Sequence, residues 1–318
     1  MRAVVIEEFA DPCTPVARDI VEPVVDAGEV LVDLVAADLQ PLDRQIARGL
    51  FPGAGPLPLV AGVSGVARAA DGGLNVVLAE MTGMGLHRGG CFAERFVCEP
   101  RQLVPVPEGP SGELDPVHVA AVANAGMHAR RALFDVAKVQ PGTAVLVLGA
   151  SGSFGRAAVQ LAAAAGIQVV AAGRRTSGIP TGPSITVIPL GEPDAMVEAV
   201  LAATDYKGAD AVLDPLGGAW TGAAIKACAL DARHVLLGNQ AGVVAPIIVP
   251  TMLLREHTII GLNGFRISEA EQRRLMTASL HDLAAGVLTA DVGAVFALQD
   301  AANAYARTGP GRVILTAA

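Results

Sequence analysis

The sequence predicts an α/β protein whose central part is a doubly wound parallel sheet. Three observations carry this. Residues 143–175 read TAVLVLGASGSFGRAAVQLAAAAGIQVVAAGRR, an apolar run, a glycine turn, a helix-length alanine-rich segment and a second apolar run. From there to about residue 262, strand-length apolar runs alternate with helix-length segments. The first third differs, breaking into short β-like runs separated by Gly, Pro and Asp turns.

In chain order, β runs are expected at Ala3–Ile6, Val30–Val35, Leu59–Ala67, Val76–Leu78 and Phe92–Val97. These form a compact β-rich lobe. Helical length and spacing follow at Pro116–Asn124 and Gly126–Val136, and Pro141-Gly142 marks a turn. Strands are then predicted at 144–148, 167–172, 185–189, 210–214, 233–238 and 257–262. Helices are predicted at 153–165, 193–203, 218–229 and 250–255. Six strands with intervening helices suit a doubly wound sheet. Ser268–Ala285 reads as an amphipathic helix, Gln299–Arg307 as another, and Arg312–Thr316 as a final strand.

The glycine turn has a chemical reading. Gly149, Gly152 and Gly155 lie between a strand and a helix, the setting of a dinucleotide-binding turn, although Ala150 takes the place of its first glycine. Gly152 would let the backbone approach a pyrophosphate, and Gly155 would let the helix sit against the strand. The helix N-terminus adds unpaired N–H groups and the positive end of its dipole. NAD sites place an acid about 20 residues further on, for the ribose 2′-hydroxyl. This chain has Gly173-Arg174-Arg175 there, and paired guanidinium groups suit a 2′-phosphate. The expected cofactor is therefore NADP.

The 318 residues are 52% hydrophobic and 17% charged, enough for a sizeable core. A net charge of −8 argues against nucleic acid or an anionic membrane as partner. The longest apolar stretch, 157–173, contains Gln160, Gly166 and Gln168 and reads as part of the βαβ unit. Residues 1–10 show no secretory pattern, so a cytoplasmic location is expected. Cys13, Cys91, Cys98 and Cys228 form no C-x-x-C pair.

Several segments together carry a family resemblance. They include Gly28-Glu29-Val30-Leu31-Val32, Ala36-Ala37-Asp38-Leu39-Gln40-Pro41-Leu42-Asp43 and Gly89-Gly90-Cys91-Phe92-Ala93-Glu94. Others are Leu103 to Gly109, the glycine turn, Gly208-Ala209-Asp210-Ala211-Val212-Leu213-Asp214 and Gly311-Arg312-Val313-Ile314-Leu315. On these the chain resembles the zinc-independent medium-chain dehydrogenases/reductases of the quinone oxidoreductase, zeta-crystallin-like, group.

The resemblance implies a Rossmann sheet inserted into a GroES-like β-rich domain, with the cofactor in the cleft between them. Domain bounds are expected at 1–118, 119–262 and 263–318. It implies cofactor contacts at Gly149, Ser151, Gly152, Ser153, Phe154, Gly155, Gly173, Arg174, Arg175, Asp214, Leu216, Gly238, Asn239, Asn263 and Phe265. It places Gln40, Asp43, Phe51 and His128 on the substrate side. Gln40 replaces the usual Asn, Phe51 a common Tyr, and His128 the usual Thr. Zinc-dependent relatives carry a Cys and a Gly-His-Glu where this chain has Asp38-Leu39-Gln40 and Gly62-Val63-Ser64, so no metal is expected. The implied function is NADPH-dependent reduction of a quinone, enone or similar activated small-molecule acceptor. Two alternatives are a tailoring enzyme acting on one complex metabolite and a non-catalytic NADPH-binding protein. A homodimer is expected, paired through the apolar run Thr258–Leu262.

Overall fold

The computed structural model describes residues 1–78 and 83–317. The chain divides into two compact units, Met1–Asn124 with Ile267–Ala318, and Ala125–Arg266. The sequence-based bounds fell at 118 and 262. The first division lies within one continuous helix, Pro116–Arg130, where no turn residue marks it.

The first unit holds two sheets. Val16–Asp19, Arg2–Ile6 and Leu59–Val60 pair antiparallel in that order. The larger sheet runs Val292–Ala297, Arg312–Thr316, Val30–Asp38, Gly65–Arg68, Leu74–Val77 and Leu103–Pro105, and Arg95–Cys98 also pairs with Val30–Asp38. The run read as one strand, Leu59–Ala67, is two. Gly62 adopts φ +106° between them, so one apolar run feeds both sheets. Three strands escaped sequence reading: Val16–Asp19, Leu103–Pro105 and Val292–Ala297. Val16–Asp19 is mostly exposed and carries little apolar signal. The core joins both chain ends, with Val32, Leu34, Phe92 and Phe96 packing in one cluster with Leu298, Tyr305 and Leu315. The helix Glu269–Ala284 is capped by Ser268, whose Oγ accepts from the Glu271 N–H at 3.3 Å.

The second unit is a six-stranded, wholly parallel sheet. Its order is Ile185–Pro189, Gln168–Gly173, Ala144–Leu148, Ala209–Asp214, Cys228–Leu236, Thr258–Gly261. The first strand in sequence sits centrally and is buried at all five positions, as expected where helices cover both faces. The helix predicted to reach residue 229 ends at Lys226, and the following strand starts at Cys228 rather than 233. Alanines and a cysteine there have no strong local preference, and pairing of Cys228 with Ala209 decides the conformation. The helix Pro116–Arg130 runs through Gly126 and widens into a π turn over Arg131–Val136. Among the described residues, no helix is long and apolar enough to cross a membrane.

Candidate functional site

The glycine turn follows the central strand. Gly149 adopts φ +65°, the Ala150 N–H donates to the Ala172 carbonyl at 2.9 Å, and the Gly152 N–H donates to the Gly149 carbonyl at 2.9 Å. The helix Ser153–Ala164 begins here, with Gly152 as its cap. A Cβ on Gly155 would lie 2.3 Å from the Gly149 carbonyl oxygen, so only glycine lets this helix meet the strand. A Cβ on Gly152 would meet only that same oxygen, at 3.3 Å, and the residue is exposed. The first helical turn thus presents N–H groups lacking helical partners beside open space. That arrangement fits a pyrophosphate.

Gly173 ends the neighbouring strand. A Cβ there would come 2.8 Å from Ile179 Cδ1 and 3.4 Å from Ser151 Oγ, which places Ser151 beside the strand end. Arg174 and Arg175 follow, both exposed, with no ion pair or side-chain hydrogen bond among the described residues. The guanidinium of Arg156, in the first turn of the glycine helix, donates to the Gly178 carbonyl and ties this loop down. Sequence reading did not single out Arg156, because its partner lies beyond any local pattern.

Asp214 ends the fourth strand in the sheet order. Its Oδ1 accepts from the Leu216 and Gly217 N–H groups at 2.8 and 2.9 Å. Its Oδ2 accepts from Thr221 Oγ1 at 2.6 Å and lies 3.0 Å from His234 Nε2. The side chain is wholly buried, and its partners make it the anchor of the loop that follows the strand. Leu216 in that loop lies 3.5 Å from where a Gly149 Cβ would be. Gly238 and Asn239 are exposed, and a Cβ on Gly238 would lie 2.5 Å from the Pro215 carbonyl oxygen. Gly149, Arg174, Leu216 and Gly238 all follow carboxyl ends of parallel strands, the edge where such sheets bind ligands.

His128 stands against the loop after the last strand of this sheet. A Cβ on Gly264 would lie 3.1 Å from its Cε1. Arg131 Nη1 donates to the Asn263 carbonyl at 2.9 Å, and Asn263 Oδ1 accepts from the Phe265 N–H at 2.9 Å. The structure therefore brings His128, Asn263 and Phe265 together, with Arg131 holding the loop.

In the first unit, Gln40 heads the helix Pro41–Ala47. Asp43 is buried, with one oxygen accepting from the Gln40 N–H at 2.8 Å and the other from the Val63 N–H at 3.0 Å. Burial raises its carboxyl to about 7, against the pull of those two bonds. Asp43 thus ties the Gly62–Val63 turn to the helix. Phe51 is half-buried and packs on the main core.

The family described as zinc-binding dehydrogenase matches residues 154–279. The quinone oxidoreductase of Rattus norvegicus is 24% identical over 316 residues, covering 96% of this chain and 93% of that one. A solved NAD-dependent alcohol dehydrogenase superposes with a TM-score of 0.83 at 27% identity, each chain covered in full. A mycobacterial quinone oxidoreductase superposes at 0.80 and 21% identity over 99% of both chains, a likeness of fold. These matches together support the quinone oxidoreductase-like group of the medium-chain dehydrogenases/reductases, a family of oxidoreductases, as this chain's family.

For a medium-chain dehydrogenase/reductase, the residues at the positions of the zinc ligands have other tasks here. Asp38 is gripped by Arg312, whose Nε donates to Oδ1 at 2.7 Å and whose Nη2 meets Oδ2. Leu39 is core, and the Gln40 side-chain oxygen accepts from Asn124 Nδ2 at 3.0 Å. Among the described residues, no three His, Cys, Asp or Glu side chains are grouped to hold a metal ion.

Proposed function

We propose that this chain is an NADPH-dependent reductase of a quinone, enone or similarly activated small-molecule acceptor, working without zinc. The observation that carries the reading is the strand end at Gly173. It runs into two exposed arginines, without an ion pair among the described residues, and no carboxylate, a surface suited to a 2′-phosphate. A second support is chemical. The residues at the zinc positions are an ion-paired Asp38, a core Leu39 and a hydrogen-bonded Gln40, and among the described residues no ligand set for a Lewis acid is grouped there. Conjugated carbonyl acceptors need less polarisation and suit hydrogen-bond donors.

When bound, NADPH supplies the hydride. The protein's part is to hold and orient it. The Gly149–Gly155 turn and the start of the helix Ser153–Ala164 would take the pyrophosphate, with Ser151 and Leu216 beside it. Arg174 and Arg175 would take the 2′-phosphate. Asn263 and Phe265 would lie toward the nicotinamide end, with His128 as proton donor to the reduced acceptor. Gln40 would donate a hydrogen bond to the acceptor, and Phe51 would offer it an apolar wall.

The protein would act as a homodimer. Thr258–Gly261 is an edge strand paired on one side only, and exposed Leu253 and Leu254 precede it. A monomeric mass by light scattering at micromolar concentration would count against this. The decisive experiment for the function follows NADPH and NADH consumption against a panel of quinones and enones. Steady turnover with NADPH is expected. Tight NADPH binding with no turnover on any acceptor would mark a non-catalytic binding protein, and turnover of one elaborate acceptor alone would mark a tailoring enzyme.

A further inference from the structure

Gln40 is anchored through its backbone and through one end of its side chain. Its backbone N–H is held by Asp43, and the two residues form a capping box at the head of the helix Pro41–Ala47. Its side-chain oxygen accepts from Asn124 Nδ2 at 3.0 Å. The remaining polar atom, Gln40 Nε2, is buried and has no hydrogen-bond partner among the described residues. Folded proteins rarely leave a buried amide nitrogen unmatched, and such an atom asks for an explanation.

A primary amide can offer either its oxygen or its nitrogen to a ligand by a half-turn of its last torsion. Asn124 opposes that freedom here. The Gln40 oxygen takes the Asn124 NH₂ and, in the capping box, the Asp43 backbone N–H, which cannot turn, so the turned amide would set its own donors against both. We infer that Asn124 is a positioning residue that fixes the Gln40 amide with its nitrogen toward the ligand, so that this point of the site is a donor only. The inference rests on the function proposed above and narrows its substrate class. The group held there is a carbonyl oxygen of a quinone, enone or enal, which accepts hydrogen bonds and donates none. That oxygen gathers negative charge as the acceptor is reduced, and a donor already aimed at it stabilises the transition state more than the ground state. Asn124 enters through its bond to Gln40, which no local motif announces.

The test uses the full chain, with 2-cyclohexenone as probe. Nitrogen-15 correlation spectra would follow the Gln40 side-chain NH₂ pair, assigned by its loss in Gln40→Glu. In the wild type, 2-cyclohexenone should shift this pair. Asn124→Asp offers only acceptors, so it should draw the Gln40 nitrogen to itself, move the pair before any probe is added and abolish the response. Its kcat/KM for 2-cyclohexenone should fall about tenfold to a hundredfold, mostly in kcat, while NADPH affinity stays within about twofold. A folded Asn124→Asp with the wild-type pair position, probe response and kcat/KM would overturn the inference. If Asn124→Asp does not fold, Asn124→Leu carries the same measurements, and an unchanged rate and spectrum would overturn it equally. Should the wild type reduce no acceptor with either nucleotide, the proposed function fails. The clamp is then judged by the probe-free spectra, where an unmoved Gln40 pair in Asn124→Asp refutes it.

Discussion

His234 Nε2 lies 3.0 Å from Asp214 Oδ2, and neither side chain reaches solvent. The same carboxylate takes the Leu216 and Gly217 N–H groups and the Thr221 hydroxyl, so one buried acid closes the loop after its strand. Burial works to raise the Asp214 carboxyl. The hydrogen bonds from His234, Thr221 and the Gly217 N–H outweigh it, and the group titrates below its ordinary value. Asp214→Ala leaves four donors unmatched and should cost about 3–5 kcal/mol, a fall in Tm of roughly 10 °C. A depressed acid stabilises above its unfolded value and loses that contribution as pH falls through its folded value. The wild-type advantage in Tm should therefore hold from neutral pH down to about pH 4 and close below it. An advantage that vanishes near pH 6 would refute this account.

The two glycines of the turn should fail in different ways. Gly155→Ala must push its Cβ into the Gly149 carbonyl, 2.3 Å away, and should lower stability by about 1–3 kcal/mol. Gly152→Val meets only the Gly149 carbonyl oxygen, at 3.3 Å, and should lose less Tm than Gly155→Ala, yet lose nucleotide binding because the side chain fills the phosphate's place. Melting curves and nucleotide titrations on both variants check the contrast. Wild-type affinity in a folded Gly152→Val would displace the phosphate from this turn.

Arg174→Ala, Arg175→Ala should weaken NADPH binding by about tenfold to a hundredfold and leave NADH nearly unchanged, since only the 2′-phosphate differs between them. Arg156→Ala should act in the same direction but more weakly, by loosening the loop at Gly178. Titration calorimetry with both nucleotides decides. Equal losses for NADPH and NADH would remove the arginines from the 2′-phosphate.

Asp43 should make the fold less stable at higher pH. Burial raises its carboxyl from 3.8 to about 7, so the folded chain keeps a proton that the unfolded chain has lost. Its stabilising contribution is complete below about pH 4, declines as pH rises through about 7 and is level beyond. Asp43→Asn removes the titration, and at low pH it should cost about 1–3 kcal/mol because an amide oxygen can serve only one of the two N–H donors cleanly. Melting temperatures across this range would show the wild-type slope flattened in Asp43→Asn. Parallel profiles would mean that Asp43 does not titrate there.

Full activity should survive a strong chelator, because Asp38 is committed to Arg312 and Gln40 to Asn124 at the zinc positions. Elemental analysis finding one zinc per chain, removed together with activity, would sink the zinc-free reading.

The sequence by itself determined the six parallel strands, the glycine turn and its helix, and the place of Gly155 in their packing. These rest on interactions between residues near in sequence: apolar periodicity, capping, and the steric demand of a strand meeting a helix. Arg174 and Arg175 were legible for the same reason, since a fixed offset from the turn puts them at a strand end. Tertiary structure alone decided what long-range pairing decides. It split Leu59–Ala67 between two sheets, and it carried the strand expected from residue 233 back to Cys228 through residues with weak preferences. It buried the Asp214 side chain as the anchor of a loop. It also joined Asp38 to Arg312 across 274 residues and Gln40 to Asn124 across 84. No local pattern carries such pairs, because the free energy that selects them comes from burying each polar group only where a distant partner can meet it.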